Sequence, residues 1–164
     1  MIDSLTGRYR FLSNFYPSKI EHNGIIYPTV EHFYVAMKIK EGQMIKTKYM
    51  TTEDCRQMIS KMSSAASVKN LGKTFKIRSD WDNIKLKVME WALNEKFKDK
   101  DLSDLLVSTN GEEIVEGNYW HDNFFGICSC KSCEGKGQNH LGKLLVSIRE
   151  KIKGEKDPTP LLEK

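Results

Sequence analysis

Apolar positions along this chain change period several times, and each change marks an element. In Lys19-Ile20-Glu21-His22-Asn23-Gly24-Ile25-Ile26-Tyr27, two short runs of strand character flank Asn23-Gly24, a dipeptide suited to the positive φ angles of a tight β-hairpin. Pro28-Thr29 ends that pattern. Thr29 is a helix cap by type, and Val30, Phe33, Tyr34 and Met37 then recur at i, i+3, i+4 and i+7, the spacing of one buried helical stripe.

Thr51, with Asp54 three positions on, predicts a capped helix from Thr52 to about Met62, and a short third helix is expected to end near Gly72. Asp80 is the expected cap of the next. There Trp81, Ile84, Val88 and Ala92 fall on one side and Leu86, Met89, Leu93 and Phe97 on another, so both faces are covered. Leu102 to Val107 adds a short helix stopped by Thr109-Asn110-Gly111, and Glu113-Ile114-Val115-Glu116 has the alternation of a strand. Asn139 is expected to cap a last helix with the stripe Leu141, Leu144, Leu145, Ile148 and Ile152. The sum is an α+β fold: a compact helix-rich single domain over residues 1–153 with a small β-hairpin or sheet, followed by a flexible tail over 154–164, where two prolines and several charges oppose packing.

With 164 residues, 39% of them hydrophobic and 29% charged, the chain can bury a cooperative core without a disulfide or metal staple. Its 26 basic and 22 acidic residues are spread evenly, and the net charge of +4 suits an anionic ligand without forming a nucleic-acid arm. No apolar run approaches the ~20 residues of a membrane span, so no membrane partner is expected. The first ten residues lack a signal-peptide core, and a cytoplasmic location with reduced thiols is the expectation; the oligomeric state is unknown from sequence.

Chemistry concentrates in four places. Glu31 and Lys38 lie seven positions apart on the first helix, about 20° apart in rotation and roughly 10 Å apart along the axis, so both side chains reach one ligand from the flank of the apolar stripe. At a cleft wall they would serve as acid/base and amine nucleophile; on open surface they are a solvated pair. Gly117 to Gly126 holds four aromatics among Asn118, His121, Asp122 and Asn123, which reads either as a base-stacking wall or as a loop plugging the core. The glycine-rich Gly135 to Lys143 precedes a helix whose free amides, with Lys136 or Lys143, would suit phosphate, though such glycines are also common connectors. Finally, Cys128, Cys130 and Cys133 form a compact thiol cluster to which His121 or His140 would add a nitrogen ligand for structural zinc; the alternative is reduced thiols in a surface insertion. Cys55, near Met58 and Met62, reads as a packing residue.

Phe11-Leu12-Ser13-Asn14-Phe15-Tyr16-Pro17, followed by Tyr27-Pro28-Thr29-Val30-Glu31-His32-Phe33-Tyr34-Val35-Ala36-Met37-Lys38, resembles the amino-terminal signature of the NADAR family of YbiA-like proteins, associated with NAD and ADP-ribose metabolism. Arg78-x-Asp80-Trp81, Lys96-Phe97, Val115-Glu116, Trp120-x-Asp122-Asn123-Phe124-Phe125-Gly126 and Asn139-x-Leu141-Gly142-Lys143 follow in the family's order, from about Arg8 to Ile152. The resemblance implies an N-glycosidase that hydrolyses the ribosyl C1′–N bond of ribosylamino-pyrimidine phosphates from early riboflavin synthesis, or of ADP-ribosylated guanine, with no metal or redox cofactor. It nominates Glu31 and Lys38 as the catalytic pair. It matches Asn14 and Phe15 to a pocket-lining loop, Arg78 to a phosphate contact, and Trp120, Asp122, Phe125, Asn139 and Gly142 to the pocket's opposite wall. Many relatives carry tryptophan at the position of Phe125, and only part of the family has the cysteine insertion, so zinc does not follow from the resemblance.

In that reading Glu31 stabilises positive charge at C1′ or activates water, and Lys38 either attacks the opened sugar aldehyde or binds phosphate. Asp122 orients the ribose, with Trp120 or Phe125 stacking on the base. His32, turned 100° from Glu31, sits behind the site or within the core. Two rival readings are a non-catalytic module that binds ADP-ribose or NAD, and a zinc-stabilised interaction protein whose cysteine cluster contacts nucleic acid or a protein.

Overall fold

The computed structural model describes residues 1–156, and shows a helix-rich α+β fold in which every sheet among the described residues is two-stranded. The chain divides into two units: Asn14–Lys96, and Met1–Ser13 joined to the chain from Phe97 onward. No helix among the described residues is long and apolar enough to cross a membrane.

The first unit opens with the expected hairpin, β1 (Ile20–His22) and β2 (Ile25–Tyr27), paired from Ile20 with Tyr27 to His22 with Ile25. Asn23 and Gly24 turn it at φ of 48° and 79°, the pair of positive angles such a turn requires. Helix α1 (Val30–Met37) follows, its first turn capped by Thr29, whose hydroxyl accepts the His32 N–H at 3.1 Å. Val30, Phe33 and Met37 are buried, and Phe33 packs against the rings of Tyr27, His22 and Trp91.

A second hairpin, β3 (Gln43–Ile45) and β4 (Lys48–Met50), has no clear signal in the sequence, because Met44 and Tyr49 are exposed and the turn holds Lys46 at φ 58° rather than glycine. Its anchor is polar. The buried Gln43 amide donates to the carbonyls of Lys40 and Lys76 at 3.0 and 2.9 Å and accepts the Lys76 N–H at 3.0 Å. Helices α2 (Thr52–Lys61) and α3 (Ala65–Gly72) are capped by Thr51 and Ser64, and α4 (Trp81–Lys96) buries Met89, Ala92 and Leu93. Asp80 precedes α4, but its carboxylate is taken by Arg78, at 2.6 Å from Nε and 3.0 Å from Nη2.

The second unit holds a 3-10 turn (Gly7–Leu12), α5 (Lys100–Ser108) capped by Asp99, the parallel pair β5 (Gly117–Asn118) and β6 (Ile127–Cys128), and α6 (His140–Lys156). Three expectations change here. Glu113 to Glu116 forms only an isolated bridge from Ile114 to Ile2, because the amino-terminal segment is its one pairing partner there. Asn139 stands before α6 at φ 52° but does not cap it; its amide accepts the Glu116 N–H and donates to the Ile114 carbonyl, at 3.1 and 2.9 Å. Helix α6 continues through Gly154 to Lys156, where a loose tail is expected, and residues 157–164 lie outside the described residues. Buried Arg149 on α6 donates from Nη1 to the Thr109 hydroxyl and the Glu112 carbonyl, joining the helix to the end of α5.

Candidate active site

The Asn14–Lys96 unit carries the pair nominated by helical geometry. Glu31 lies in the first turn of α1, and its backbone N–H donates to the Asn14 carbonyl at 3.1 Å, which fixes the Asn14-Phe15-Tyr16 segment beside the helix start. Lys38 is the residue just past the last turn. Both side chains are half-buried. Burial lowers the Lys38 ammonium below the ordinary lysine range, the Glu31 carboxylate opposes this, and the charges of Lys69 and Lys73 lower it further. The acid and amine therefore sense one another, as the spacing on one helix flank requires.

Helix α3 completes this corner. A Cβ built on Gly72 would stand 3.1 Å from Lys38 Cε and Nζ and 3.0 Å from Val35 Cγ1, so the small residue leaves the lysine its course over α3. Lys69, one turn earlier, places its ammonium 5.8 Å from the centroid of the Phe15 ring. Lys69 and Lys73 were not singled out in the sequence, although their i, i+4 spacing was the available signal. One carboxylate and two further lysines acting on the Lys38 amine, with the Phe15 ring beside Lys69, suit a phosphorylated ligand.

Other nominated residues of this unit are engaged internally. His32 is 1% exposed; Nε2 donates to the Met62 carbonyl at 2.8 Å, so Nδ1 accepts the Thr29 hydroxyl at 2.7 Å. Burial lowers its pKa and favours this neutral tautomer. His32, expected behind the site or within the core, thus links α1 to the end of α2. Arg78 likewise uses Nε and Nη2 on Asp80 and reaches the Met37 carbonyl with Nη1 at 3.4 Å, while its N–H donates to the Lys38 carbonyl. It braces the carboxyl end of α1, where Lys38 sits, instead of presenting a free guanidinium to phosphate. Asn14 keeps a buried Oδ1 without a hydrogen-bond partner among the described residues, while its Nδ2 meets only the Met89 sulfur at 3.6 Å.

Lys96, at the end of α4, is a functional candidate the sequence did not reveal as one. Only 1% of it is exposed, burial pushes its pKa down to about 7, and Nζ lies 5.9 Å from the Tyr16 ring. Its burial was hidden because lysine in a helix reads as solvated surface.

In the second unit, the loop between β5 and α6 is built on its own backbone. The buried Asn118 side chain accepts the N–H groups of Trp120 and Asp122 and donates to the Asp122 carbonyl. Half-buried Asp122 accepts the N–H groups of Phe124 and Phe125 on Oδ1, at 3.2 and 3.0 Å. Phe125 is 9% exposed and packs edge-on against Phe124, so its expected stacking on a base is corrected to a core role. Trp120, by contrast, is 57% exposed. The amides of Gln138, Asn139, His140 and Leu141 donate to the carbonyls of Asn123, Gly126, Phe124 and Phe125, so the start of α6 holds this loop in place of phosphate. Gly137 and Gly142 serve close packing, since a Cβ on either would strike the Gly126 or Ile114 carbonyl. Asn139 and Gly142 also border an open hollow of about 410 Å³, lined as well by Glu112, Lys143 and Arg149.

The thiol cluster is real. His121, Cys128, Cys130 and Cys133 bring their potential ligand atoms within 4.8 Å of one another. The nitrogen is that of His121, because His140 turns its Nε2 to Gln138 at 2.8 Å and stacks near Phe124. Hydrogen bonding, chiefly from Ser132, lowers the Cys130 thiol to about 6; Asn123 and then His121 lower Cys133, and burial raises Cys128.

With both units described, the comparisons decide the family. The NADAR domain model matches residues 4–153. The chain belongs to the NADAR family. It is 32% identical over 158 residues to the N-glycosidase YbiA of Escherichia coli, covering 93% of this chain and 88% of that protein. It is 33% identical to the N-glycosidase Npun_R5314 of Nostoc punctiforme, over 88% of this chain and 86% of the relative. A riboflavin biosynthesis protein of Vibrio vulnificus, VVA0006, matches at 31% identity over 87% of this chain, but this chain spans only 35% of that protein's length. The NMR structure of Escherichia coli YbiA superposes with a TM-score of 0.74 at 29% identity, over 98% of this chain and 89% of that one. The fold of that protein is thus shared over 98% of this chain.

Proposed function

We infer that this NADAR-family chain is an N-glycosidase acting on a phosphorylated ribosyl N-glycoside, with Glu31 and Lys38 as its catalytic pair. The observation that carries the reading is the half-buried Lys38, coupled to Glu31 across one flank of α1 and ringed by the cations of Lys69 and Lys73. The names of the relatives, N-glycosidase and riboflavin biosynthesis protein, support the same bond class.

Cleavage breaks C1′–N and adds water across it: hydroxide to C1′, a proton to the departing nitrogen. Positive charge builds at C1′ as the bond lengthens, and a carboxylate beside it stabilises that charge or takes the proton from the attacking water. Glu31 has this role. Lys38, with its proton affinity reduced by burial, is the amine that attacks C1′ of the ring-opened glycosylamine, expelling the base nitrogen with the amine's proton and forming a Schiff base that water then hydrolyses to the sugar aldehyde. Lys69 and Lys73 hold the substrate's phosphate, and the Phe15 ring borders the same corner. We place the catalytic domain at residues 1–153 and the protein in the cytoplasm.

The test is incubation of purified protein with a ribosylamino-pyrimidine phosphate and, separately, with ADP-ribosylated guanine, followed by mass spectrometry of the products. Release of the free base or amine from either, lost in Glu31→Gln, is the expected result. Tight binding of ADP-ribose with no product from either glycoside would replace this reading with that of a binding module.

A further inference from the structure

We propose that His121, Cys128, Cys130 and Cys133 bind one structural zinc ion, which fixes the Trp120–Phe125 loop. This goes beyond the glycosidase reading and does not depend on it.

The donor set is that of a closed zinc site: three sulfurs and one imidazole nitrogen, with ligand atoms all within 4.8 Å of one another. In a tetrahedral complex with Zn–S near 2.3 Å and Zn–N near 2.0 Å, neighbouring ligand atoms stand about 3.5–3.8 Å apart. His121 Nδ1 lies 3.3 Å from the sulfurs of both Cys130 and Cys133, so a small outward relaxation admits the ion. Sulfur-rich tetrahedral sets select zinc over the hard cations.

The surrounding chain supports thiolates specifically. The His121 N–H donates to Cys128 Sγ at 3.3 Å, Asn123 Nδ2 donates to Cys133 Sγ at 3.4 Å, and the Ser132 hydroxyl lies 3.3 Å from Cys130 Sγ. Each sulfur therefore has a donor beside it, the arrangement that stabilises metal-bound thiolate and orients it. The backbone closes around the set: the N–H groups of Cys133 and Glu134 both donate to the Cys130 carbonyl, and Gly135 donates to that of Cys128. Three residues of the loop, His121, Glu134 and Gly135, hold positive φ at 69°, 55° and 72°. For His121 that conformation is uncommon, and it is what turns Nδ1 toward the sulfurs.

The site's location states its purpose. β5 and β6 contribute only two residues each, Gly117–Asn118 and Ile127–Cys128, and while Asn118, Asp122 and the start of α6 hydrogen-bond the loop between them, the exposed His121 ring and the Cys130–Cys133 turn are what the ion would tie together. An ion shared by His121 on one side and three cysteines on the other cross-links that segment. Four protein ligands leave no coordination position for water, so the metal is structural and the glycosidic chemistry does not pass through it. Binding Zn²⁺ to three thiols and a neutral imidazole releases three protons and leaves the complex with one net negative charge.

The experiment uses the full chain purified without added metal or chelator. Elemental analysis is expected to give about one zinc per chain, retained in Cys55→Ser and lost in Cys130→Ser and Cys133→Ser. Replacement by Co²⁺ should give the intense absorption of tetrahedral cobalt–thiolate, and chelation should raise amide exchange across residues 117–138 while leaving α1 to α4 protected. Should the cysteine variants fail to fold, the wild-type cobalt spectrum and its thiol titration before and after chelation still decide. Wild-type protein that is isolated without metal and gives no cobalt–thiolate absorption, that carries iron, or whose double variant Cys130→Ser/Cys133→Ser keeps a full zinc load overturns the proposal.

Discussion

Gly72 on α3 lies directly against Lys38 at the end of α1, with room for no side chain between them: a Cβ there would sit 3.1 Å from the lysine Nζ. Gly72→Ala is therefore a probe of the amine's position. The lysine head is the far end of a flexible chain and moves, whereas the Val35 methyl at 3.0 Å is anchored in the core. Alanine in place of helical glycine gains up to about 1 kcal/mol of helix propensity, which offsets the close contact with Val35. The expected outcome is a melting temperature within a few degrees of wild type with a kcat reduced by roughly tenfold or more, as expected when a reacting group is displaced by a fraction of an ångström. Unchanged kcat would mean that Lys38 does not act from this position.

Burial is the main cause of the lowered Lys38 pKa, and Lys69 on α3 and Lys73 just past it add to it, so removing one lysine has a sign fixed by electrostatics. Lys73 lowers the Lys38 pKa, so Lys73→Met raises it and moves the rising limb of the kcat profile, where the nucleophilic amine loses its proton, toward higher pH. The displacement should grow at low ionic strength, where screening weakens. Substrate affinity should fall as well through loss of a phosphate contact. A profile that moves to lower pH, or not at all in low salt, contradicts the coupling.

These two residues also show what the sequence conveys and what it withholds. Helical spacing alone put Glu31 beside Lys38, because seven positions on an α-helix return to nearly the same face. The Asn23-Gly24 hairpin and the Thr29 and Thr51 caps were legible for the same reason: each is a local rule satisfied within a few residues. Lys69, Lys73 and Gly72 join the site only because α3 folds back against α1, a long-range contact with no local signature. Asn139 and Asp80 illustrate the reverse error: both have the composition of caps, yet distant backbone groups at Ile114 and Glu116 claim the Asn139 side chain and the neighbouring Arg78 claims that of Asp80. Likewise Phe125 and His32 carry the family's motif through packing and buried hydrogen bonds.

Lys96 makes stability depend on pH in a definite direction. Its folded pKa of about 7 lies below the 10.5 of an ordinary lysine, so between those values the unfolded chain binds a proton that the folded chain does not. Stability from this group therefore rises with pH across that window and is flat below it, where both states are protonated. Lys96→Met keeps the length, removes the titration and should flatten the rise. Near pH 7 it should stabilise the fold by something on the order of a few kcal/mol, since each unit of pKa difference is worth about 1.4 kcal/mol. Chemical denaturation from pH 6 to 10 checks this; a variant that loses stability at every pH would mean that the amine's contacts outweigh its burial.

His32 separates a structural role from a binding one. His32→Phe removes the donor to the Met62 carbonyl and the acceptor of the Thr29 hydroxyl proton, while the residue-32 N–H still caps onto Thr29, at a cost of about 1–3 kcal/mol for the buried group left unpaired. The expected result is a lowered melting temperature with KM and kcat close to wild type below the unfolding transition. A rise in KM with unchanged stability would restore His32 to the substrate.

The division of labour between Glu31 and Lys38 can be read from covalent trapping. If Lys38 condenses with the opened ribose, borohydride added during turnover reduces the Schiff base to a secondary amine, and digestion should place the added mass on Lys38 alone. Lys38→Arg retains the positive charge but has no condensable amine, so it should lose both the adduct and turnover by several orders of magnitude while still binding phosphate. Glu31→Gln should also lose turnover, because nothing then stabilises charge at C1′ or prepares water for the hydrolysis of the intermediate. An adduct found instead on Lys96 would move the nucleophile to the buried amine beside Tyr16 and leave Lys38 as a phosphate ligand. Absence of any adduct, with Lys38→Arg fully active, would leave Glu31 and water to carry the reaction without a covalent stage.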